Sequence, residues 1–333
     1  MKNNKNRSAS ELGLLNVNYL GRLITLLISV TLFLGGCSQE PIEKLSVGSN
    51  IWPGYEPGYL AESKGLFKSG AIEMRQFSSA TEVLRAFRND AIQVAALTLD
   101  EALQLAQNDD DVVVFLVADI SNGADVILAK PGIASVAGLK GKTIVAEGSA
   151  LGAFVISRAL QLSGLSATDV NVISMTVDES VIAFSEERVD AVVTFEPFRS
   201  QLLRQGAEEI FTSKEIPNEI VDVLVTKRSL IDAREEVFGD LAQGWMAAIE
   251  MIQTQPELAH PVLATRLELD VAEVPGAFEG LVLPNIDQNR AMLSGSAASL
   301  RGVAEMLEQV LKERSLLTDK VDIEHLFDAR LVR

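Results

Sequence analysis

The sequence predicts an α/β protein built from two similar lobes. Three observations lead there. Val- and Ile-rich runs alternate with amphipathic segments from Leu45 onward, the pattern of βαβ units and a mainly parallel sheet. A stretch near residue 90 recurs near residue 190. A length of 333 residues suits about two domains at roughly 150 residues each. With 47% hydrophobic and 23% charged residues, the composition is globular, neither disordered nor collagen-like.

The periodicity predicts each element in order. Leu45–Ile51 reads as a strand and Pro57–Phe67 as a helix. Ile72–Phe77, Ile92–Leu97 and Val112–Ala118 are strands, with helices at Ala80–Arg88 and Asp100–Ala106 between them. Strands follow at Asp125–Ala129 and Lys142–Ala146, then a helix at Ala150–Leu162. Val170–Ser174 is a strand, Glu179–Glu186 a helix, Ala191–Phe195 a strand and Phe198–Arg204 a helix. Glu209–Phe211 and Val221–Thr226 complete the strands. From Ala233 to Leu311 the pattern is almost wholly helical.

The repeat aligns Ala86–Asp100 (AFRNDAIQVAALTLD) with Ala183–Glu196 (AFSEERVDAVVTFE), with one gap. Each copy runs from a helix end through a strand to Thr-apolar-acid: Thr98-Leu99-Asp100 and Thr194-Phe195-Glu196. Open α/β sheets bind ligands beyond the carboxyl ends of their strands. Two facing lobes therefore put Asp100 and Glu196 on opposite walls of one cleft.

The N-terminus reads as a sorting signal. Lys2, Lys5, Arg7 and Arg22 stand against Glu11 alone, before the apolar run Leu23–Leu34. That run is short for a membrane span but fits a signal-peptide core. It ends in Leu34-Gly35-Gly36-Cys37, which resembles the bacterial lipoprotein lipobox. The resemblance implies cleavage before Cys37, acylation of its sulfur and amine, and a tether over residues 37–43. Without residues 1–36 the chain has 25 bases and 45 acids, a net charge of −20. So acidic a surface disfavours nucleic acid and anionic lipid. Membrane attachment is therefore expected through the lipid anchor alone. One cysteine cannot form an internal disulfide or a thiolate zinc site, two histidines leave little room for His-based catalysis, and no cofactor or metal is expected.

Ser49-Asn50-Ile51-Trp52-Pro53-Gly54-Tyr55-Glu56-Pro57, followed by Tyr59-Leu60-Ala61 and Gly65-Leu66-Phe67, resembles the opening of a known family. This is the nitrate/sulfonate/taurine class of ABC-importer solute-binding proteins, which includes binders of thiamine pyrimidine precursors. The likeness continues at Ser79-Ala80-Thr81-Glu82, Leu139-Lys140-Gly141-Lys142 and Thr194-Phe195-Glu196-Pro197, and covers roughly Leu45 to Leu230. It implies the type II periplasmic-binding-protein fold. In that fold two α/β lobes are joined by two crossing segments and close on a small molecule. Lobe 1 is expected at 44–122 plus 226–333 and lobe 2 at 123–225. Crossings are expected at Asn122–Ala124 and Leu224–Lys227.

Cleft residues follow from the strand ends. Trp52 and Tyr55 sit in a Pro/Gly-rich turn after the first strand, where aromatics can stack on a planar ligand or enclose a cation. Ser79 and Thr81 open a capped helix whose free N–H groups can hold an anionic or carbonyl group. Glu147 and Ser149 repeat that geometry in the other lobe. Asp125 enters the first crossover. Asp222 lies amid apolar strand residues and needs a partner, a nearby base or a wet cleft. Glu196 is expected to be the main polar anchor, with capping of the next helix as its other role. Acids outnumber bases at these strand ends, so a neutral, zwitterionic or cationic nitrogen compound is expected rather than a simple oxyanion.

The expected function is capture of a small nitrogen-containing solute and delivery to an ABC permease and its ATPase, by an exported, lipid-anchored monomer at the periplasmic face. A ligand-sensing lipoprotein, or an enzyme of pyrimidine-precursor or dehydratase type on the same fold, are the alternatives. The enzymes of that kind work inside cells, whereas this chain carries an export signal. Cys37→Ser should accumulate as an uncleaved precursor that takes up no labelled palmitate. Unchanged processing and labelling would remove the lipobox.

Overall fold

The computed structural model describes residues 44–294, 299–313 and 315–333. The expected signal peptide, Cys37 and the tether lie outside the described residues.

In chain order the elements are β1 (Leu45–Ser49), α1 (Glu56–Ser63), β2 (Ile72–Gln76), α2 (Ala80–Arg88), β3 (Val94–Thr98), α3 (Leu99–Ala106), β4 (Val112–Ser121), β5 (Val126–Ala129), β6 (Thr143–Ala146), α4 (Ala150–Leu162), β7 (Asn171–Ser174) and α5 (Val177–Ser185). They continue with β8 (Ala191–Thr194), α6 (Phe198–Arg204), β9 (Glu208–Thr212), β10 (Val221–Lys227), α7 (Arg228–Thr254), α8 (Pro256–Leu267), α9 (Val274–Ala277), β11 (Leu281–Val282), α10 (Ile286–Leu293) and α11 (Arg301–Glu313).

The strands form two sheets, ordered β11-β4-β10-β3-β1-β2 and β7-β6-β8-β5-β9. Each holds a parallel trio, β2-β1-β3 in one and β7-β6-β8 in the other. Against each trio lies one antiparallel strand that follows a crossing, β10 on β3 and β5 on β8. β3 and β8 thus occupy the same place in the two sheets. The sequence repeat is structural, and Thr98 and Thr194 end equivalent strands.

β4 is buried along its whole length, which explains its continuous apolar run. Val113 and Phe115 join the cluster under α1, α7 and α8, while Val112 and Val114 join the one under α2, α3 and α11. Phe154 and Val155 of α4, a helix of the second sheet, belong to the same cluster as Leu99 and Leu103 of α3. The second sheet has a further core of its own around Val126, Phe184 and Val192.

The chain passes from the first sheet to the second after β4 and returns before β10, at residues 122–125 and 213–220. The second position corrects the expectation of a crossing at Leu224–Lys227. Those residues lie inside β10, where Leu224 pairs with Ala96 and Leu116. Their apolar character belongs to a central strand, not to a hinge. The stretch after Ala233 is almost wholly helical, as expected, with the two-residue β11 adding an edge strand to β4. Ser213 ties the crossings together. Its Oγ accepts from the Gly123 N–H at 2.6 Å and lies 2.8 Å from the Ser121 hydroxyl. Gly123 (φ +116°) and Gly280 (φ +87°) meet so closely that a Cβ on Gly280 would stand 2.7 Å from the Gly123 carbonyl carbon.

Glu56 is buried on α1. Arg266 of α8 donates to it through Nε and Nη2 at 2.7 and 3.0 Å, with the guanidinium 3.5 Å over the Tyr59 ring. Removing one partner of a buried pair costs about 3–5 kcal/mol. Arg266→Met should fall at the low end of that range in urea melts, because the guanidinium is partly exposed. An unchanged midpoint would mean that the pair contributes nothing to stability.

Candidate functional site

The first sheet lines up polar groups across three neighbouring strand ends. Asp222 on β10 pairs in register with Asp119 on β4 and with Thr98 at the end of β3. The turn after β1 covers this row. Trp52 Nε1 donates to Asp119 Oδ2 at 3.0 Å, and the Tyr55 hydroxyl donates to Asp222 Oδ1. Gly54 permits that approach, since a Cβ there would stand 1.8 Å from Asp119 Oδ2. The start of α3 adds Asp100 and Glu101, and Glu101 accepts from the Thr98 N–H at 3.3 Å.

The second sheet closes over this row. Glu147, Ser149 and Leu151 come from the β6–α4 connection and the first turn of α4, and Phe195 follows β8. With Asn50, Trp52, Tyr55, Ala80, Thr98, Glu101 and Asp222 they line a cavity of about 30 Å³, room for about two water molecules. Several contacts join the halves, these among them. The Trp52 and Phe195 rings meet edge to face at 5.2 Å. The Thr81 hydroxyl donates to the Gly148 carbonyl at 3.5 Å. Arg204 pairs with Glu273 at 3.1 Å. In this closed arrangement the cavity is too small for an organic solute.

Among the described residues no lysine, arginine or histidine lines the cavity, so its carboxyls, and those packed behind it, are desolvated without counter-charge. Burial, reinforced by Asp100 and Glu147, pushes Glu101 up to about 8. Burial likewise lifts Asp119 to about 8, against the Trp52 hydrogen bond. It raises Asp125 to about 7 and Asp100 to about 6. Asp222 rises through burial and the Asp119 charge, and Tyr55 rises with it. Burial raises Glu147 too, partly offset by the Thr81 and Ala80 N–H groups at the start of α2. Each of the six acids keeps a buried oxygen without a hydrogen-bond partner: Asp100 Oδ2, Glu101 Oε1, Asp119 Oδ1, Asp125 Oδ2, Glu147 Oε1 and Asp222 Oδ2.

Of the residues expected from sequence, Trp52, Tyr55, Thr98, Glu147, Ser149 and Asp222 line the cavity. Asp100 and Asp125 sit behind it, within electrostatic reach of Glu101 and Asp119. Among the described residues Asp222 has no basic partner; Tyr55 takes that place. Ser79 caps α2 by accepting from Glu82 N at 3.2 Å, and Thr81 stands at the seam between the sheets. Thr194 is buried with an unpartnered hydroxyl, outside the lining.

Glu196 requires correction. Its carboxylate accepts from Ser200 N and Oγ at 3.1 and 2.9 Å, with Arg199 at 3.9 Å. It caps the start of α6 and does not line the cavity. Asn50, Glu101, Asp119, Leu151 and Phe195 were not singled out from sequence. Asp119 was hidden because β4 was expected to stop at Ala118, whereas it runs to Ser121. A lone acid ending a long apolar run was its available signal. Among the described residues no group of three or more His, Cys, Asp or Glu is placed to hold a metal ion.

The sequence profile of the NMT1-like family matches residues 38–267. The chain belongs to the NMT1-like family. The resemblance to nitrate/sulfonate/taurine-class solute-binding proteins, read from Ser49–Pro57 and the later motifs, is thereby borne out. This NMT1-like chain is 22% identical over 254 residues to the taurine-binding periplasmic protein of Escherichia coli K12, covering 72% of this chain and 78% of that one. Its fold matches the aliphatic sulphonate binding protein SsuA of E. coli with a TM-score of 0.71 at 20% identity, covering 87% and 99% of the two chains. It also matches the desulfurization enzyme DszB with a TM-score of 0.64 at 13% identity, covering 86% and 97%. The expected periplasmic-binding-protein fold, two α/β lobes with a cleft between them, is the one found. The fold alone does not separate binder from enzyme.

The raised carboxyls of the NMT1-like chain imply a specific pH response. Their protons are kept in the folded protein but lost from the unfolded chain above about pH 4. The stability they contribute is fully present below that pH and is lost as pH rises through 6 to 8. The slope is about 1.4 kcal/mol per pH unit for each proton held only by the folded state. Asp169, lowered to about 2, acts below this window. Tm of the ligand-free protein should fall from pH 5 to pH 8, and Glu101→Gln should flatten the decline. A Tm that climbs across that range would show the cluster to be ionised in the folded state.

Proposed function

We propose that the chain is the solute-binding component of an ABC importer, one that captures a small organic solute carrying protonated nitrogen and delivers it to a permease and its ATPase. One observation carries the ligand class: the closed cavity is walled by carboxyls and aromatic rings and, among the described residues, has no basic side chain. Buried acids without counter-charge favour a cation there. Trp52, Tyr55 and Phe195 suit the same guest, since aromatic faces attract ammonium groups. The E. coli relative is named for taurine, which has an ammonium as well as a sulfonate. The ammonium is the end this cavity fits. A bare sulfonate would meet unpaired carboxylate oxygens.

The two sheets serve as the lobes, and residues 122–125 and 213–220 as their hinge. Solute bridging Asp222 and Trp52 on one side and Glu147 and Phe195 on the other favours closure, because only the closed state brings both walls together. The role is binding rather than catalysis. The cavity lining offers no histidine, cysteine or serine–base pair to act as nucleophile. Export and anchoring through Cys37 place the protein at the periplasmic face of a membrane, beside a permease.

A thermal-shift screen should raise Tm with amines, amidines and zwitterions and leave it unmoved by nitrate or methanesulfonate. A ligand at one hundred times its Kd adds about 2.7 kcal/mol. Stabilisation by the oxyanions alone would reverse the proposed ligand class. In calorimetry with a hit from that screen, Trp52→Ala and Asp222→Asn should weaken binding on the order of tenfold or more. Glu196→Gln should bind as the parent does. Equal losses in Glu196→Gln and Trp52→Ala would return Glu196 to the site.

A further inference from the structure

We infer a second binding site on the outer edge of the seam, a pocket that takes a doubly charged oxyanion and couples its binding to capture of the solute. The site stands on its own lining; only the coupling rests on the closure reading above.

The pocket measures about 430 Å³. Arg85 and Arg88 line it from α2, Gln104 from α3, and Gly148 and Ser149 from the β6–α4 connection of the other sheet. Among the described residues no acid lines it, although residues 37–333 hold 45 acids against 25 bases. It is the reverse of the inner cavity, which has carboxyls and no base.

Arg85 and Arg88 stand three apart and so share one face of α2. Both are exposed, and among the described residues neither guanidinium has an ion pair or a hydrogen bond. The acids on either side are engaged elsewhere. Glu82 accepts from the Ser78 N–H and hydroxyl at 3.2 and 2.7 Å, and Asp90 pairs with Lys227 at 2.8 Å. Glu82 feels the charge of Arg85 without pairing with it. Basic residues suit the last turn of a helix, which accounts for the sign of the pair. It does not account for a pocket free of acids in front of them.

Guanidinium groups match oxyanions through paired N–H donors. The Ser149 hydroxyl accepts from Gly152 N at 3.4 Å, so its proton is left to give. A single negative charge would leave one guanidinium unmatched, whereas a dianion answers both. Nitrate and methanesulfonate are therefore poor guests here too.

Ser149 lines this pocket and the inner cavity alike. An anion held by the arginines of one half and by Ser149 of the other favours the closed arrangement. Whatever favours closure tightens solute binding, and the solute tightens the anion by the same factor. The oxyanion arrives either free or as the far end of the solute itself.

The test is thermal shift and calorimetry on the purified protein at about pH 8, where a phosphate group carries two charges. The probes are inorganic phosphate, ethanolamine and O-phosphoethanolamine, with sodium chloride at matched ionic strength. Phosphate should raise Tm where chloride does not, and added salt should weaken it by screening the exposed guanidiniums. Arg85→Gln/Arg88→Gln should fold as the parent does and bind phosphate on the order of tenfold or more weakly. The same variant reports any general salting effect of phosphate. Arg85→Lys/Arg88→Lys keeps both charges but not the paired donors, and should lose less. A phosphate shift no larger than that of chloride, or one that survives in full in the double Gln variant, would overturn the site and leave the cation reading untouched. If the anion is free, phosphate should tighten ethanolamine on the order of fivefold or more. If it belongs to the solute, O-phosphoethanolamine should bind on the order of tenfold or more tighter than ethanolamine does beside free phosphate. Absence of both gains, with the phosphate shift intact, would overturn the coupling and leave the anion site standing.

Discussion

Six carboxyls without a base, packed where two sheets meet, set the terms for the rest of this molecule. A buried ionised acid is tolerated only with a partner, and these acids have few. The fold answers in three ways. It supplies neutral donors, the Trp52 indole and the Tyr55 hydroxyl. It keeps protons on the acids, as the raised values of Glu101, Asp119 and Asp125 state. And it places the cluster beside the seam between the two sheets, where Glu101, Glu147 and Asp222 line a small cavity.

The same constraint explains why the site is assembled from both halves. Glu147 approaches the start of α2 from across the seam, where the Ala80 and Thr81 N–H groups favour its charge. A carboxylate of the second sheet thus meets the free N–H groups of a helix on the first. The edge-to-face pair of Trp52 and Phe195 works alongside it. Polar and apolar contacts across one seam let the halves meet firmly around very little space.

Much of this was legible in the sequence, for identifiable reasons. The alternation of Val/Ile runs with amphipathic stretches located nearly every strand and helix, and the Thr98/Thr194 repeat matched equivalent strands in the two sheets. Local rules failed where the third dimension decides. Leu224–Lys227 reads alike as a hinge or as a central strand, and only its pairing with β3 and β4 tells which. Glu196 repeats the position of Asp100, yet Ser200, four residues on, turns it into its own helix. Asp119 escaped because its importance lies in what stands across from it, Asp222, more than a hundred residues away in the chain.

The chain contains two tryptophans, and they occupy opposite kinds of environment. Trp245, on α7, is sealed in the core. Trp52 has its indole nitrogen on Asp119 and its ring against Phe195 of the other half. In the proposed opening the first is a constant background and the second changes surroundings. An intrinsic fluorophore placed on the seam would report that motion, and proton loss at Asp119, by emission without any attached dye.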